Sequence, residues 1–151
     1  MNDKLVFNWN SIVKPEDTVY HMGDFSMRTP KEHAEQLNGK KILIIGNHDR
    51  ESQCKGHFDE IHERLEIEID GRKVNLSHYP YWENVGPYDH QFMFKMMKDD
   101  GKWLIHGHVH NSAPALVKKS INACVEHWDY KPISEDTVIE IMRKMENGID
   151  K

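Results

Sequence analysis

The chain has few cysteines, no long apolar run and no excess of positive charge, and each shortage excludes a class of protein. Its two cysteines, Cys54 and Cys124, form no CxxC pair, so neither a disulfide framework nor a zinc ribbon is indicated. No apolar run approaches the roughly 18 residues that a membrane-spanning helix needs. The formal net charge of -5 argues against a broad basic surface that binds long nucleic acids.

The first ten residues lack the apolar stretch and small-residue cleavage site of a secretory signal. Together with the absence of a disulfide framework, this predicts a cytoplasmic protein without membrane contact. A chain of 151 residues, 38% of them hydrophobic, is enough for one sizeable core. We therefore expect a single domain spanning residues 1–151.

The spacing of apolar residues predicts alternating helices and strands, and hence an α/β fold. The predicted helices cover residues 3–13, 29–37, 58–62 and 89–98, and Ser134 is expected to cap a final helix. The predicted strands cover residues 18–22, 42–45, 103–105 and 120–125, with a hairpin over 65–76 that turns at Asp70 and Gly71.

Histidine is abundant, with 11 copies, and several of these histidines follow predicted strands. Because open α/β sheets bind ligands at the carboxyl ends of their strands, polar residues at those ends are candidates for one shared site. Imidazole, carboxylate and amide ligands without cysteine suit a catalytic zinc, manganese, iron or nickel ion better than a structural zinc. The candidate residues are Asp24, Asn47 with His48, His78, and His108 with His110.

Four short motifs in order resemble the signature of the calcineurin-like metallophosphoesterases. They are GD at residues 23–24, GNHD at 46–49, His78 after a strand, and GHVH at 107–110. The likeness covers nearly the whole chain and is strongest to the short stand-alone enzymes of bacteria and their phages. It implies a sandwich of mixed β-sheets flanked by helices.

The resemblance also implies a role for each motif residue. Asp24 would bridge two metal ions, Asn47, His78 and His108 would complete the shell of one ion, and His110 would belong to the other. His48 would be the catalytic histidine that steadies or protonates the leaving oxygen, and Asp49 would orient it.

One part of the family pattern is missing. The family begins with an aspartate and a histidine two residues apart, at the end of a strand before the helix predicted at 3–13, and no such pair is present. We therefore expect one complete metal position and a second, holding only Asp24 and His110, that is weak or empty. The missing strand should leave a groove or an unpaired sheet edge, which favours self-association or reduces stability. Two explanations of the missing pair are open: the start of the chain is misplaced or truncated, or the protein is a natural short form with altered activity.

Other residues near the motifs carry two interpretations each. Tyr79 and Trp82 either form an aromatic wall that stacks a substrate group or pack at the rim of the core, which is the more common role. Arg28 and Arg50 are either phosphate contacts or solvated charges. His106 either supports the metal ligands or is a packed histidine, and the other six histidines, His21 among them, are expected to be structural or exposed.

The resemblance implies hydrolysis of a phosphodiester or phosphomonoester by a metal-activated hydroxide, with small nucleotides as the leading substrate class by analogy. Two alternatives are open: a phosphate-binding protein without turnover, and a fragment that acts only when a longer chain supplies the missing strand. Bound cations would let an acidic protein attract a phosphate, so no basic patch is required.

Overall fold

A computed structural model describes residues 3–24, 30–47, 49–84, 94–109 and 114–148. Helices and strands alternate along the amino-terminal part, as the sequence pattern predicts. The helices are α1 (Asp3–Ile12), α2 (Pro30–Gln36), α3 (Glu51–Cys54) and α4 (Glu135–Glu146). The strands are β1 (Thr18–His21), β2 (Lys40–Ile44), β3 (Glu60–His62), β4 (Arg64–Ile69), β5 (Arg72–Ser77), β6 (Trp103–His106), β7 (Leu116–Val117) and β8 (Ser120–Asn122).

The first sheet is parallel and has the order β1-β2-β3, with Tyr20 opposite Ile42 and Ile42 opposite Glu60. Successive side chains of β2 point to opposite faces. Leu43 packs with α1, α2 and α3 in one core cluster, whereas Ile44 packs against the second sheet in another. Both faces of β2 are therefore covered, as expected for its continuous apolar run.

The second sheet has the order β4-β5-β6-β8-β7 and is mixed. Strands β4 and β5 form the predicted hairpin, and its two turn residues have positive φ, 53° at Asp70 and 75° at Gly71. Positive φ at both residues of a two-residue loop is typical of a type I′ turn, which matches the twist of the paired strands. The predicted hairpin turn at Asp70 and Gly71 is therefore confirmed. The remaining neighbours of β5 and β6 run parallel to them.

The last helix, α4, packs on the core between the two sheets through Val138 and Met142. It begins where predicted, because the Ser134 side chain accepts a hydrogen bond from the Thr137 backbone N–H at 3.2 Å. None of the helices in the described part of the chain is both long enough and apolar enough to cross a membrane.

Three predicted elements are wrong or shorter than expected. Residues 58–62 are not helical, because residues 60–62 pair with β2 and this tertiary pairing overrides a weak helical pattern. The strand predicted over 120–125 ends at Asn122, whose side chain accepts the Cys124 N–H and turns the chain into a 3-10 helix at Val125–His127.

The helix predicted over residues 89–98 lies partly outside the described residues. Of its described portion, 94–95 form a single 3-10 turn and 96–98 are not helical. The Met97 carbonyl accepts a hydrogen bond from Trp82 N–H at 3.0 Å, so it bonds to a distant segment instead of continuing a helix.

Candidate metal centre

Four predicted ligands lie together at the carboxyl ends of four strands. Asp24 follows β1, Asn47 follows β2, His78 follows β5 and His108 follows β6. The carboxylate oxygen of Asp24 and the ring nitrogens of His78 and His108 lie within 4.8 Å of one another. We call Asp24, Asn47, His78 and His108 the four-ligand cluster. The arrangement arises because parallel strands of two packed sheets end at one edge of the sandwich.

Asn47 joins the cluster through its amide oxygen. Its Oδ1 lies 2.9 Å from His78 Nε2 and 3.2 Å from His108 Nδ1. The two imidazole nitrogens are themselves 3.2 Å apart, and Asp24 Oδ2 is 3.4 Å from His78 Nε2. One carboxylate, one amide oxygen and two imidazoles therefore converge on a volume the size of a single ion.

The position of the proton on the His78 ring indicates which kind of ligand fits between the four side chains. His78 Nδ1 lies 2.6 Å from the Met22 carbonyl oxygen, which can only accept, so Nδ1 carries the proton. In the neutral ring Nε2 then presents its lone pair to Asn47 Oδ1 and to the Asp24 carboxylate. Facing lone pairs repel unless a cation or an extra proton lies among them. The donor set and its geometry therefore fit a divalent metal ion.

Two glycines allow the loops of the cluster to approach each other. Gly23 has φ of +101°, and a Cβ there would lie 2.8 Å from the backbone of Gly46 and 2.5 Å from His78 Nδ1. A Cβ on Gly46 would collide with the Asp24 carboxylate and its backbone nitrogen. The glycines in the GD and GNHD motifs thus have a steric reason: the backbones after β1 and β2 must pass in contact.

The Asp49 carboxylate ties these two loops together. Its Oδ2 accepts the backbone N–H groups of Asp24, at 2.7 Å, and of Gly46, at 2.8 Å. A carboxylate that accepts two amides holds the loop containing Asn47 against the one containing Asp24. This role was not predicted from the sequence, which indicated Asp49 as the partner of His48 or as a turn or cap residue.

Two members of the four-ligand cluster have an uncommon backbone conformation. Asp24 and His108 have φ of 54° and 68°, in the left-handed region that residues other than glycine rarely adopt. Such conformations persist where the surrounding contacts hold them, and they recur at ligand sites. The strand predicted over residues 103–105 extends to His106, and the chain turns sharply at His108.

Several predicted site residues lie outside the described part of the chain, namely His48, His110 and Arg28. Of the other predicted substrate contacts, Arg50 is exposed at the start of α3, and Trp82 lies in a 3-10 helix with the Lys98 ammonium 5.5 Å from its ring centre. Their contact with a substrate stays a prediction.

Tyr79 packs directly on the two histidines of the cluster. Its ring centre lies 4.8 Å from that of His78 and 4.9 Å from that of His108, and the side chain is buried. Burial, with a smaller contribution from the Asp24 carboxylate, raises the pKa of Tyr79 to about 12. These contacts favour the packing interpretation of Tyr79, because its ring packs against the rings of His78 and His108.

His106 is also a packed residue. It is buried, and its Nδ1 donates to the Gly107 carbonyl at 3.0 Å. Burial lowers the pKa of His106 to about 4, so the ring is neutral at pH 7.

His21 is nearer to the site than the sequence indicated. Its ring stacks on Trp9 at 6.4 Å between centres, and its Nδ1 accepts the Gly23 N–H at 3.2 Å. Burial lowers the pKa of His21 to about 4, against the opposing effect of the Asp49 and Asp24 carboxylates. No sequence motif marked this residue. The one available signal was its position at the end of the predicted strand, three residues before Asp24.

We expect His21 to make the metal-free protein less stable in mild acid. The folded state binds a proton at His21 only near pH 4, whereas the unfolded chain binds it near 6.5, so stability is lost as pH falls from 6.5 towards 4. The loss reaches about 3 kcal/mol at most. Urea unfolding in EDTA at pH 7, 5 and 4 measures it.

The matched variants for this measurement are His21→Gln and His57→Gln. The first should flatten the decline in unfolding free energy between pH 6.5 and 4, and the second should leave it unchanged. An equal pH slope in wild type and His21→Gln would show that His21 is not the group responsible.

Comparisons with known proteins agree with this site. Residues 4–123 match the model of the calcineurin-like phosphoesterase superfamily domain. An uncharacterized protein of Methanocaldococcus jannaschii is 34% identical over 155 residues, which cover 95% of this chain and 76% of the relative. The gene 66 protein of Mycobacterium phage L5 is 28% identical, over 93% of this chain and 81% of its own length.

A solved structure shows the same fold. A protein of unknown function from Aquifex aeolicus superposes with a TM-score of 0.69 at 37% identity, covering 91% of this chain and 83% of its own. The chain belongs to the calcineurin-like phosphoesterase superfamily, and the predicted fold class is confirmed. The matched segment contains all members of the four-ligand cluster.

Proposed function

We propose that the protein is a metal-dependent hydrolase of phosphate esters, acting on a phosphodiester or a phosphomonoester. The observation that carries this proposal is the convergence of one carboxylate, one amide oxygen and two imidazoles, with the proton of His78 held on the side away from the others. Membership of a phosphoesterase superfamily supports the same reaction class. Small nucleotides remain the leading substrate class by analogy.

The four-ligand cluster would hold one divalent ion, which we take to be manganese, zinc, iron or nickel from the donor types. A second ion, sharing Asp24 and using His110, would bind weakly or not at all. A bound divalent ion would supply Lewis-acid activation of water and neutralise charge on the phosphoryl oxygens.

The charge of the cluster suits an anionic substrate. Asp24 is its only carboxylate, and imidazoles bind a metal ion in their neutral form, so the cluster would leave a divalent ion with a net positive charge. A phosphate is attracted locally to that charge although the chain carries -5 overall. His48 would serve as the proton donor to the leaving oxygen, as its motif implies, with Asp49 holding the loop in place.

Hydrolysis of bis(p-nitrophenyl) phosphate and of p-nitrophenyl phosphate tests the proposal. We expect turnover with added Mn²⁺, loss of turnover in EDTA, and recovery when Mn²⁺ is restored. Asn47→Ala should lower the rate by about 100-fold, whereas Asn147→Ala, at the end of α4, should leave it unchanged.

Turnover that persists in EDTA, or that is equal in wild type and Asn47→Ala, would contradict a metal-dependent mechanism at this site. Mn²⁺-dependent binding of inorganic phosphate without turnover of either ester would replace hydrolysis with a binding role. The ratio of the two ester rates separates diesterase from monoesterase activity.

A further inference from the structure

A small pocket lies next to the metal centre. Its volume is about 210 Å³, and two of the residues that line it are Gly46 and Tyr79, which precede Asn47 and follow His78 in the chain. We call it the side pocket, and its other lining residues are Ile45, Glu63, Arg64, Phe94 and Lys95. The lining residues are thus sequence neighbours of two metal ligands, and none of them is itself a member of the four-ligand cluster.

The connection between the two sheets places the side pocket at this edge of the sandwich. A single residue, Glu63, separates β3 of the first sheet from β4 of the second. At the start of β4, Arg64 lies opposite Ser77, which immediately precedes His78. The crossing chain therefore forms a wall of the side pocket close to the carboxyl end of β5, where the metal ligands begin.

The apolar part of the side pocket suits a flat aromatic group. The Phe94 side chain is 78% exposed and lies at the rim, whereas Tyr79 is buried and Ile45 is half-buried. A planar ring that stacked on Phe94 would remove apolar surface of both rings from water. The Lys95 ammonium lies 5.7 Å from the centre of the Phe94 ring, and it can move aside because such contacts are weak at an exposed position.

The polar part of the side pocket offers both kinds of hydrogen-bonding partner. The Glu63 carboxylate can accept, and the Arg64 guanidinium and the Lys95 ammonium can donate. All three residues are exposed, and within the described part of the chain no ion pair involves their side chains. The edge of a nucleobase carries donors and acceptors side by side, so it can use both kinds of partner.

The size and position of the side pocket limit what it can hold. Its volume is below the roughly 300 Å³ at which sites for whole small molecules begin, so it fits one group of a larger ligand. Since no metal ligand lines it, that group must be joined to a metal-bound phosphate through a spacer. A ribose is such a spacer between a phosphate and a base.

We infer that the side pocket binds the base of a nucleoside phosphate, stacked on Phe94, while the phosphate is held at the metal centre. The inference rests on the proposed function for the position of the phosphate. It replaces the analogy that favoured nucleotides with named residues that recognise the base.

The test measures binding to the Mn²⁺-loaded protein by calorimetric titration. The probes are the phosphonate analogues of AMP, of ribose 5-phosphate and of phenyl phosphate, in which a CH₂ group replaces the bridging oxygen. They cannot be hydrolysed, so binding is measured whether or not esters turn over. We expect the AMP analogue to bind about 10-fold more tightly than the ribose analogue, and excess inorganic phosphate to displace it.

Phe94→Ala and Phe7→Ala are the matched variants. Phe7 is also strongly exposed, at 72%, but it lies in α1 and does not line the side pocket. Phe94→Ala should remove the preference for the AMP analogue and leave the affinity for the ribose analogue unchanged, which also shows that the site is intact. Phe7→Ala should keep the preference.

The outcomes separate this inference from the proposed hydrolysis. Equal affinities for the AMP and ribose analogues, or a preference that survives in Phe94→Ala, would overturn the base site even if the nitrophenyl esters are hydrolysed. A Phe94-dependent preference for the phenyl analogue alone would overturn it too, by assigning the side pocket to an aryl ester. A Phe94-dependent AMP preference without turnover of either ester would support the base site and contradict hydrolysis.

Discussion

Replacing His78 with alanine should abolish Mn²⁺-dependent hydrolysis and weaken Mn²⁺ binding by about 100-fold or more. His78 is 2% exposed and occupies the middle of the four-ligand cluster, with its Nε2 within 3.4 Å of Asp24, Asn47 and His108. Removing it deletes one ligand and also releases the Met22 carbonyl that its Nδ1 contacts. Equilibrium dialysis with Mn²⁺ and the bis(p-nitrophenyl) phosphate assay measure the two effects.

The matched control is His57→Ala, which removes a histidine between α3 and β3 that belongs to none of the four motifs. It should bind Mn²⁺ and hydrolyse the ester as wild type does. Circular dichroism distinguishes loss of the ligand from loss of the fold in His78→Ala. Wild-type Mn²⁺ affinity in a folded His78→Ala protein would remove His78 from the centre and with it the proposed geometry.

Replacing Gly23 with alanine should destabilise the protein by about 3 kcal/mol or more, because two costs add. The φ of +101° at Gly23 is unfavourable for any residue with a Cβ, and the new Cβ would lie 2.8 Å from the Gly46 backbone. The Gly46 backbone cannot give way freely, since its N–H is held by Asp49. Urea unfolding in EDTA measures the change without a contribution from metal binding.

Gly56→Ala separates the two costs. Gly56 has a similar φ of +88°, but a Cβ there meets no atom within 4 Å. Only the conformational cost of about 1 kcal/mol should appear. If both variants lost the same unfolding free energy, the close approach of the two loops would carry no energetic weight.

Much of the site could be predicted because its residues follow strands. The apolar run 42–45 and the alternation through residues 65–76 indicate strands, and parallel strands bring their carboxyl ends to one edge. That rule places Asp24, Asn47 and His78 together before any coordinates are known. The glycines at 23 and 46 were also in the motifs, although their steric reason needed the structure.

The remaining features depend on tertiary contacts that leave no local pattern. The stacking of the His21 ring on Trp9 of α1 and its hydrogen bond with Gly23 N–H are set by how α1 packs on the sheet and by the turn after β1. Residues 60–62 form a strand because β2 offers an edge, against their own weak helical pattern. The left-handed turn at His108 and the two amides held by Asp49 likewise follow from how the two loops meet.

X-ray absorption spectroscopy of the Mn²⁺-loaded protein tests the central claim most directly, because it counts the imidazole rings bound to the ion. The four-ligand cluster predicts two rings in the wild type, from His78 and His108, and one ring in His78→Ala. An ion surrounded only by oxygen ligands in the wild-type protein would contradict the account.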